Sequence, residues 1–263
     1  MQLQEAVRVR DVMSKDSLTV RPEDTVREAT RRMSERDVGA AIVELETPGF
    51  RPGIITERDV LDCLASGRGL DYLRVADRST PDAITIPPGS SLQQAAKVMA
   101  SNDFRHLVVF DGDNILGIVS IRDLVGHWAK DRKLPGLGMP IRKAMSKHVI
   151  ALSPNDTLRE AARRMSEEDV SAAMVETTKA GHPPEMVSAR EILYSAGADQ
   201  EPDNERVADH LAPRRTFSAP DWSLSQAAEA MIKGGFQHIV VVDESGIVGI
   251  ISMRSLVRGL VSS

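Results

Sequence analysis

The sequence predicts an α+β protein of four β-α-β-β-α repeats, paired into two domains with a pseudo-two-fold relation inside each pair. The first observation behind this prediction is a recurring motif, in which glycine and two apolar residues precede a hydroxyl residue and, three positions later, an acid. The hydroxyl residues are Thr56, Ser120, Ser188 and Ser252. Their steps of 64, 68 and 64 residues indicate one repeated unit.

The second observation is a longer register of 132 residues. This shift maps Met13 onto Met145, His106 onto His238 and Gly117 onto Gly249. The register holds through most of the chain, so we infer that an ancestral pair of repeats was itself duplicated.

The elements of the first repeat follow from periodicity and from turn residues. A β-rich run at 17–21 ends at Pro22, and Asp24 is the predicted N-cap of a helix whose apolar residues share one face. Compact apolar runs at 39–43 and 54–55 predict two strands. A helix over 56–65 follows and ends near Gly67.

The second repeat has the same plan. Strands are expected at 83–86 and 107–110, and the helix between them is capped by Ser90 or Ser91. Residues 111–114 predict a hairpin turn, and a helix over 120–130 completes the repeat. The Gly- and Pro-rich stretch 131–140 predicts a linker between domains at 1–134 and 135–263. A Pro-bearing turn at 179–184 and a polar junction at 198–205 are expected in the second half.

Composition narrows the class of protein. The net charge of −5 and an aromatic content of 3% argue against a nucleic-acid partner. Cys63 is the single cysteine and is expected to be a buried, unreactive thiol. No apolar run is long enough to insert in a membrane, and residues 1–12 lack a signal-peptide pattern, so the expected location is the cytoplasm.

The recurring motif has two chemical interpretations. The start of a helix favours an anion, and the hydroxyl of Thr56 or Ser120 can donate to a phosphate oxygen. Asp59 or Asp123, one helical turn later, can accept hydrogen bonds from a ribose diol. Arg58 and Arg122 add cationic donors suited to phosphate. The alternative is that each hydroxyl–acid pair is an ordinary capping box.

A family resemblance rests on five stretches of the sequence. They are the motifs at 53–59 and 117–123, the run at 104–109, and the segments at 11–14 and 143–146. Over residues 9–260 the chain resembles a protein of four CBS (cystathionine β-synthase) motifs. The resemblance implies repeats at about 9–68, 74–130, 141–198 and 206–261, paired into two Bateman modules. It also implies binding of AMP, ADP, ATP or S-adenosylmethionine in clefts between paired repeats.

The resemblance implies roles for individual residues as well. Thr56 and Ser120 would contact phosphate or ribose, Asp59 and Asp123 would bind the ribose diol, and Arg105 would reach the phosphates. The adenine slot would be lined by Ser14, Leu18, Val38, Ala40, Thr80, Ile84 and His106.

Two repeats depart from the pattern. In the third repeat Glu185 replaces the glycine, and Ser188 and Glu191 form the hydroxyl–acid pair; in the fourth, Ser255 replaces the acid. The N-terminal module is therefore expected to be the main sensor. No catalytic group and no metal-ligand spacing is evident in the sequence, so a non-catalytic regulatory protein is expected.

The alternative function is a dimerising scaffold with vestigial clefts that regulates a partner enzyme or transporter. The resemblance implies self-association of the modules. They would meet either in a homodimer or in a disk closed within one chain.

Overall fold

The structure is a computed structural model that describes residues 7–44, 51–130, 136–176, 185–198, 200–212 and 216–262. Within these residues the α-helices are α1 (Val9–Val12), α2 (Val26–Glu35), α3 (Glu57–Ala65), α4 (Leu92–Asn102), α5 (Ile121–Lys130), α6 (Leu158–Glu167), α7 (Ala189–Gly197), α8 (Leu224–Gly234) and α9 (Met253–Val261). The strands are β1 (Thr19–Val20), β2 (Ala40–Val43), β3 (Gly53–Thr56), β4 (Thr85–Ile86), β5 (His106–Phe110), β6 (Ile115–Ser120), β7 (Ala151–Leu152), β8 (Ala172–Val175), β9 (Glu185–Ser188), β10 (Phe217–Ser218), β11 (His238–Asp243) and β12 (Gly246–Ser252). Short 3-10 segments cover Leu70–Tyr72, Val75–Asp77, Ile141–Lys143 and Val207–Asp209.

Each repeat folds as β-α-β-β-α around its own three-stranded sheet, which confirms the predicted fold class. The first strand of every sheet runs parallel to the second, and the second runs antiparallel to the third. In the first repeat this register places Ala40 opposite Thr56. Thr56 is the last residue of β3, so its hydroxyl lies directly before the start of α3.

The chain forms two compact units. The one–three unit consists of Ser17–Ala83 and Val149–Pro213 and contains the first and third repeats. In it α2 packs against α7, and α3 packs against α6. The core between these helices is aliphatic, and Met33, Leu61 and Met165 are fully buried in it.

The two–four unit consists of Met1–Asp16, Ile84–His148 and Arg214–Ser263, and it contains the second and fourth repeats. Its helices follow the same rule, because α4 packs against α9 and α5 against α8. Trp128 is 3% exposed and belongs to the aliphatic core of this unit.

The segments that lead into the repeats exchange partners. The backbone of Ser14, near the start of the first repeat, pairs with Ile118 of the second, through two hydrogen bonds of 2.9 and 3.0 Å. The backbone of Thr80, near the start of the second repeat, pairs in the same way with Ile54 of the first. The two contacts have the same pattern, and each lies within one of the two units.

Helix packing therefore joins repeats from opposite halves of the chain, whereas the exchanged leads join repeats of the same half. The predicted boundary between residues 134 and 135 and the predicted turn at 179–184 lie outside the described residues. The division into modules at 1–134 and 135–263 stays a prediction, and so does the homodimer.

Gly117 makes the exchanged lead possible. Its φ of +152° is rare for L side chains, and a Cβ at this position would lie 2.1 Å from the carbonyl oxygen of Ser14. Only a residue without a side chain lets the lead approach β6 this closely.

The structure tests two predictions for the first repeat, the N-cap of α2 and the burial of Cys63. The predicted N-cap Asp24 is wrong, because the Oγ1 of Thr25 accepts the N–H of Glu28 and Thr25 caps α2. Asp24 instead accepts the N–H of Arg21 one turn earlier. Cys63 is 1% exposed, and burial raises the pKa of its thiol to about 11, which agrees with an unreactive side chain.

Candidate ligand-binding site

The recurring motif forms a closed hydrogen-bonded junction in the first repeat. The Oδ2 atom of Asp59 accepts the N–H of Thr56 at 2.7 Å and the hydroxyl of Thr56 at 2.8 Å. The acid thereby fixes the turn from β3 into α3, as a capping box does. Both bonds use Oδ2, so Oδ1 keeps acceptor capacity for a ligand.

The second and third repeats share this junction. Asp123 Oδ2 accepts the N–H and the hydroxyl of Ser120, each at 2.7 Å. Glu191 Oε2 accepts the N–H of Ser188 at 2.9 Å and its hydroxyl at 2.5 Å. The capping interpretation and the ligand interpretation are therefore compatible, because one carboxylate oxygen serves the cap.

The fourth repeat replaces this ionic junction with a neutral one. Ser252 Oγ accepts the N–H of Ser255 at 3.0 Å, and the two hydroxyl oxygens lie 2.9 Å apart. The helix is still capped, but the position offers no charged acceptor for a diol.

Burial sets the electrostatics of the acids. It raises the pKa of Asp59 above its ordinary value, although the hydrogen bonds from Thr56 oppose the shift. Burial likewise raises the pKa of Glu191, against the hydrogen bonds from Ser188. An ionised carboxylate in such a place is poorly solvated, so a diol that donates to it gains more than it would in water.

A test of this burial is the pH dependence of stability. Because the folded pKa of Asp59 lies above its ordinary value of 3.8, ionised Asp59 costs stability, and the cost vanishes once both states are protonated. We expect Asp59→Asn to gain stability relative to the wild type as pH rises from below 3.8 to neutrality. Urea unfolding midpoints measured across that range give the difference.

Asp111 is the matched control for this measurement. The N–H groups of Asn114 and Asp113 lower the pKa of Asp111, so its ionised form stabilises the folded chain. We expect Asp111→Asn to lose stability relative to the wild type over the same rise in pH. Equal slopes for the two variants would contradict the assignment for Asp59.

The first backbone donor of each motif helix is already used. The N–H of Glu57 donates to the carbonyl of Gly39 at 3.0 Å, and the N–H of Ile121 donates to that of Arg105 at 2.8 Å. The third and fourth repeats make the same bond. A phosphate at the helix start therefore has fewer amide donors than the sequence predicts.

The motif arginines mainly join repeats to each other. Arg58 Nη2 lies 2.8 Å from Asp169 Oδ1, and Arg190 Nη1 lies 2.6 Å from Asp37 Oδ1. Both aspartates follow the first helix of the opposing repeat in a left-handed conformation, which aspartate tolerates better than most residues. A phosphate role for Arg58 would compete with this ion pair, and it stays a prediction.

The same contact recurs once in the two–four unit. Arg254 Nη1 lies 2.7 Å from Asp103 Oδ2, and Asp103 also follows its helix in a left-handed conformation. The position that would serve Arg122 in this way is Gly235, with open space around its Cβ direction. Three repeats thus carry the acid, and the fourth carries a glycine.

A cavity of about 480 Å³ lies beside Gly235 in the two–four unit. It is lined by Asp11, Val12, Arg122, Asp123, Gly126, His127, Lys130, Met231, Ile232, Gly235 and Met253. Its volume is within the range of small-molecule pockets. Of the predicted site residues, Arg122 and Asp123 line this cavity.

The remaining predicted residues lie elsewhere. Leu18 is 2% exposed in the aliphatic core, whereas Ile84 is 40% exposed. His106 pairs with Ser120 across β5 and β6, next to the carbonyl of Arg105 that accepts from α5. Ser14 and Thr80 belong to the exchanged leads, and Val38 and Ala40 lie at the start of β2. These assignments to an adenine slot stay predictions.

Sequence reasoning missed Asp11, Val12, His127 and Lys130. A usable signal was present, because 123, 126, 127 and 130 have the spacing of one helical face that begins at the motif acid.

In the described part of the chain, no group of three or more His, Cys, Asp or Glu residues could hold a metal ion. In the same part, no helix combines the length and apolar character needed to cross a membrane.

Comparison with known proteins identifies the repeats. The family model described as CBS domain matches residues 9–66, 75–130, 141–197 and 217–262. The chain belongs to the CBS-domain family. Each of the four CBS repeats contains one of the four three-stranded sheets.

Individual relatives support the same assignment. The CBS domain-containing protein YhcV of Bacillus subtilis is 32% identical over 117 residues, covering 44% of this chain and 81% of that protein. Protein MJ1225 of Methanocaldococcus jannaschii has a crystal structure that matches with a TM-score of 0.80 at 19% identity. The match covers 96% of this chain and 99% of that one, so the two chains share a fold.

One solved relative holds a ligand. The CBS domain protein PAE2072 of Pyrobaculum aerophilum was solved in complex with AMP. It matches with a TM-score of 0.41 at 26% identity, covering 44% of this chain and 89% of that one.

Proposed function

We propose that the protein is a non-catalytic sensor that binds an adenosine nucleotide, with its main sites at Asp123 of the second CBS repeat and Asp59 of the first. The observation that carries the proposal is the position of Asp123. Its carboxylate closes the Ser120 cap through Oδ2 and also lines a cavity of about 480 Å³. Asp123 thus combines its capping role with a position at a space large enough for a small ligand.

The cavity offers a partner for each part of a nucleotide. Oδ1 of Asp123 can accept from the two ribose hydroxyls, and Arg122 and Lys130 are cations for the phosphates. Val12 and Ile232 supply apolar surface for a purine. Asp123 thus selects for the diol, and the cations select for the phosphate.

The first repeat has the same junction in a different setting. Asp59 is capped as Asp123 is, but the neighbouring Arg58 is paired with Asp169 of the third repeat. A nucleotide there would depend on other cations for its phosphates. We therefore rank Asp123 above Asp59 as the principal contact.

A ligand panel tests the proposal. Thermal unfolding is followed with AMP, ADP, ATP and S-adenosylmethionine, and with GTP as a control of the same charge as ATP. A ligand at a hundred times its Kd stabilises by about 2.7 kcal/mol, which corresponds to a rise in Tm of roughly 5–10 °C for a chain of this size. At least one adenosyl ligand should reach this rise while GTP falls short.

If none of these ligands raises the Tm, the sensor function is contradicted. That outcome would favour the alternative, a scaffold that regulates an enzyme or transporter through its surface. If S-adenosylmethionine raises the Tm and the nucleotides do not, the phosphate assignment is contradicted, because S-adenosylmethionine carries no phosphate.

A further inference from the structure

The cavity of the second repeat has a counterpart in the fourth. This second cavity, of about 420 Å³, is lined by Met139, Lys143, Ala144, Met145, Ser146, Ser255, Arg258, Gly259 and Ser262. Six of these positions are reached from lining residues of the first cavity by the 132-residue register: Lys143, Ala144, Ser255, Arg258, Gly259 and Ser262. One fold position has therefore produced two cavities in one chain.

The charges of the two cavities differ. Lys143 stands where the first cavity has Asp11, and Ser255 stands where it has Asp123. Two acidic positions have become one cation and one neutral hydroxyl. Among the described residues that line the second cavity, none is acidic, and Arg258 adds a second cation.

Ion pairing leaves part of this positive charge uncompensated. Asp103 accepts from Arg254 at 2.7 Å and from Arg258 at 2.5 Å, so one carboxylate faces two guanidinium groups. Counted over Lys143, Arg254, Arg258 and Asp103, three cations face one carboxylate. An anion entering the cavity therefore meets attraction from two sides.

Hydroxyl groups complete the donor set. Ser252 Oγ already accepts the N–H of Ser255, so the Ser252 hydroxyl proton is available for Ser255 Oγ. In that arrangement the Ser255 hydroxyl can donate into the cavity, and Ser262 lines the same space. A lysine ammonium with hydroxyl donors suits a tetrahedral phosphate.

We propose that the cavity of the fourth repeat binds a small phosphate monoester and does not require a ribose diol. The phosphate lies between Lys143 and Ser255, and the apolar surface of Met139 and Met145 takes the organic part. The site is separate from the one at Asp123, so this inference holds whether or not nucleotide binds there.

Methionine methyl groups distinguish the two cavities in one experiment. Met139 and Met145 line the cavity of the fourth repeat, and Met231 and Met253 line that of the second. In a full-length chain labelled with ¹³C at the methionine methyls, NMR titrations use inorganic phosphate, phenyl phosphate and adenosine, with chloride at matched ionic strength. Phosphate and phenyl phosphate should shift the Met139 and Met145 signals, and adenosine and chloride should not.

Two variants and one control test the residues. Lys143→Asp, which copies the charge of Asp11, should weaken phosphate binding at least about tenfold, because it reverses a charge at the site. Ser255→Asp should weaken it as well, by returning an acid to the position of Asp123. Asp11→Asn, in the other cavity, should leave the Met139 and Met145 response unchanged.

The inference is overturned if phosphate leaves the Met139 and Met145 methyl signals unshifted. It is also overturned if phosphate shifts these signals equally in the wild type and in Lys143→Asp. Lys143 is exposed, so its replacement is not expected to unfold the chain, and retention of the methyl spectrum verifies this. AMP read at Met231 and Met253 reports separately on the nucleotide proposal, so the failure of one does not imply failure of the other.

Discussion

Asp123→Asn is expected to weaken binding of an adenosine nucleotide by about ten- to a hundredfold, since a charged hydrogen-bond acceptor contributes roughly 1.5–3 kcal/mol. Asparagine keeps a side-chain oxygen for the N–H of Ser120, so the start of α5 should remain capped. The loss would therefore report on the ligand rather than on folding. Isothermal titration of AMP or ATP into the two proteins measures it.

The diol itself provides the control. A 2′,3′-dideoxy analogue lacks both hydroxyls that Asp123 would accept, so the wild type should bind it as weakly as Asp123→Asn binds the parent nucleotide. The variant should hardly distinguish the two ligands, and this non-additivity identifies a direct contact. Equal discrimination by both proteins would remove Asp123 from the ribose site. Ser255→Ala, at the matching position of the fourth repeat, should leave unchanged the AMP affinity of the Asp123 cavity, as read from the Met231 and Met253 methyl signals.

Gly117→Ala is expected to destabilise the folded chain by about 2–4 kcal/mol, which combines backbone strain at positive φ with a steric conflict. The new methyl group would lie 2.1 Å from the carbonyl oxygen of Ser14, which is a backbone atom that no rotamer change can move. The lead would have to leave β6, together with its two hydrogen bonds to Ile118. The change in urea unfolding midpoint gives the size of the effect.

Gly112→Ala separates the two contributions. Gly112 also has a positive φ, of +109°, but nothing lies within 4 Å of its Cβ direction. This variant should therefore show the backbone strain alone, about 1 kcal/mol. If the two variants lose the same stability, the close approach of the lead to Gly117 is not what holds that segment.

The repeat pattern was readable from sequence because each element is determined locally. A hydroxyl, an acid one turn later and two apolar residues before them specify a strand, a cap and a helix at Thr56 and Ser120. The N-cap of α2 was harder, since Asp24 and Thr25 are both good caps. The choice depended on Asp24 accepting the N–H of Arg21 instead.

The roles of the arginines could not be read from the motif. Arg58 and Arg122 occupy the same motif position, yet Arg58 meets Asp169 whereas the matching position for Arg122 is Gly235. That difference depends on which helix of a distant repeat packs alongside, and a single sequence does not specify such packing. For the same reason Lys130 and His127 were missed, although their spacing from Asp123 was visible.

The arginines of the one–three unit carry a further consequence. Arg27 donates to the carbonyl of Ala196 and Arg159 donates to the carbonyl of Leu64, and the 132-residue register exchanges the two contacts. Reciprocal contacts of this kind are the signature of an isologous interface, in which one surface meets its own copy. The one–three unit thus has, within one polypeptide, the reciprocal contact pattern of a symmetric dimer interface. Because both copies lie in one chain, a substitution in one does not appear in the other, as it would in a homodimer, and Asp123 and Ser255 can differ on a shared framework.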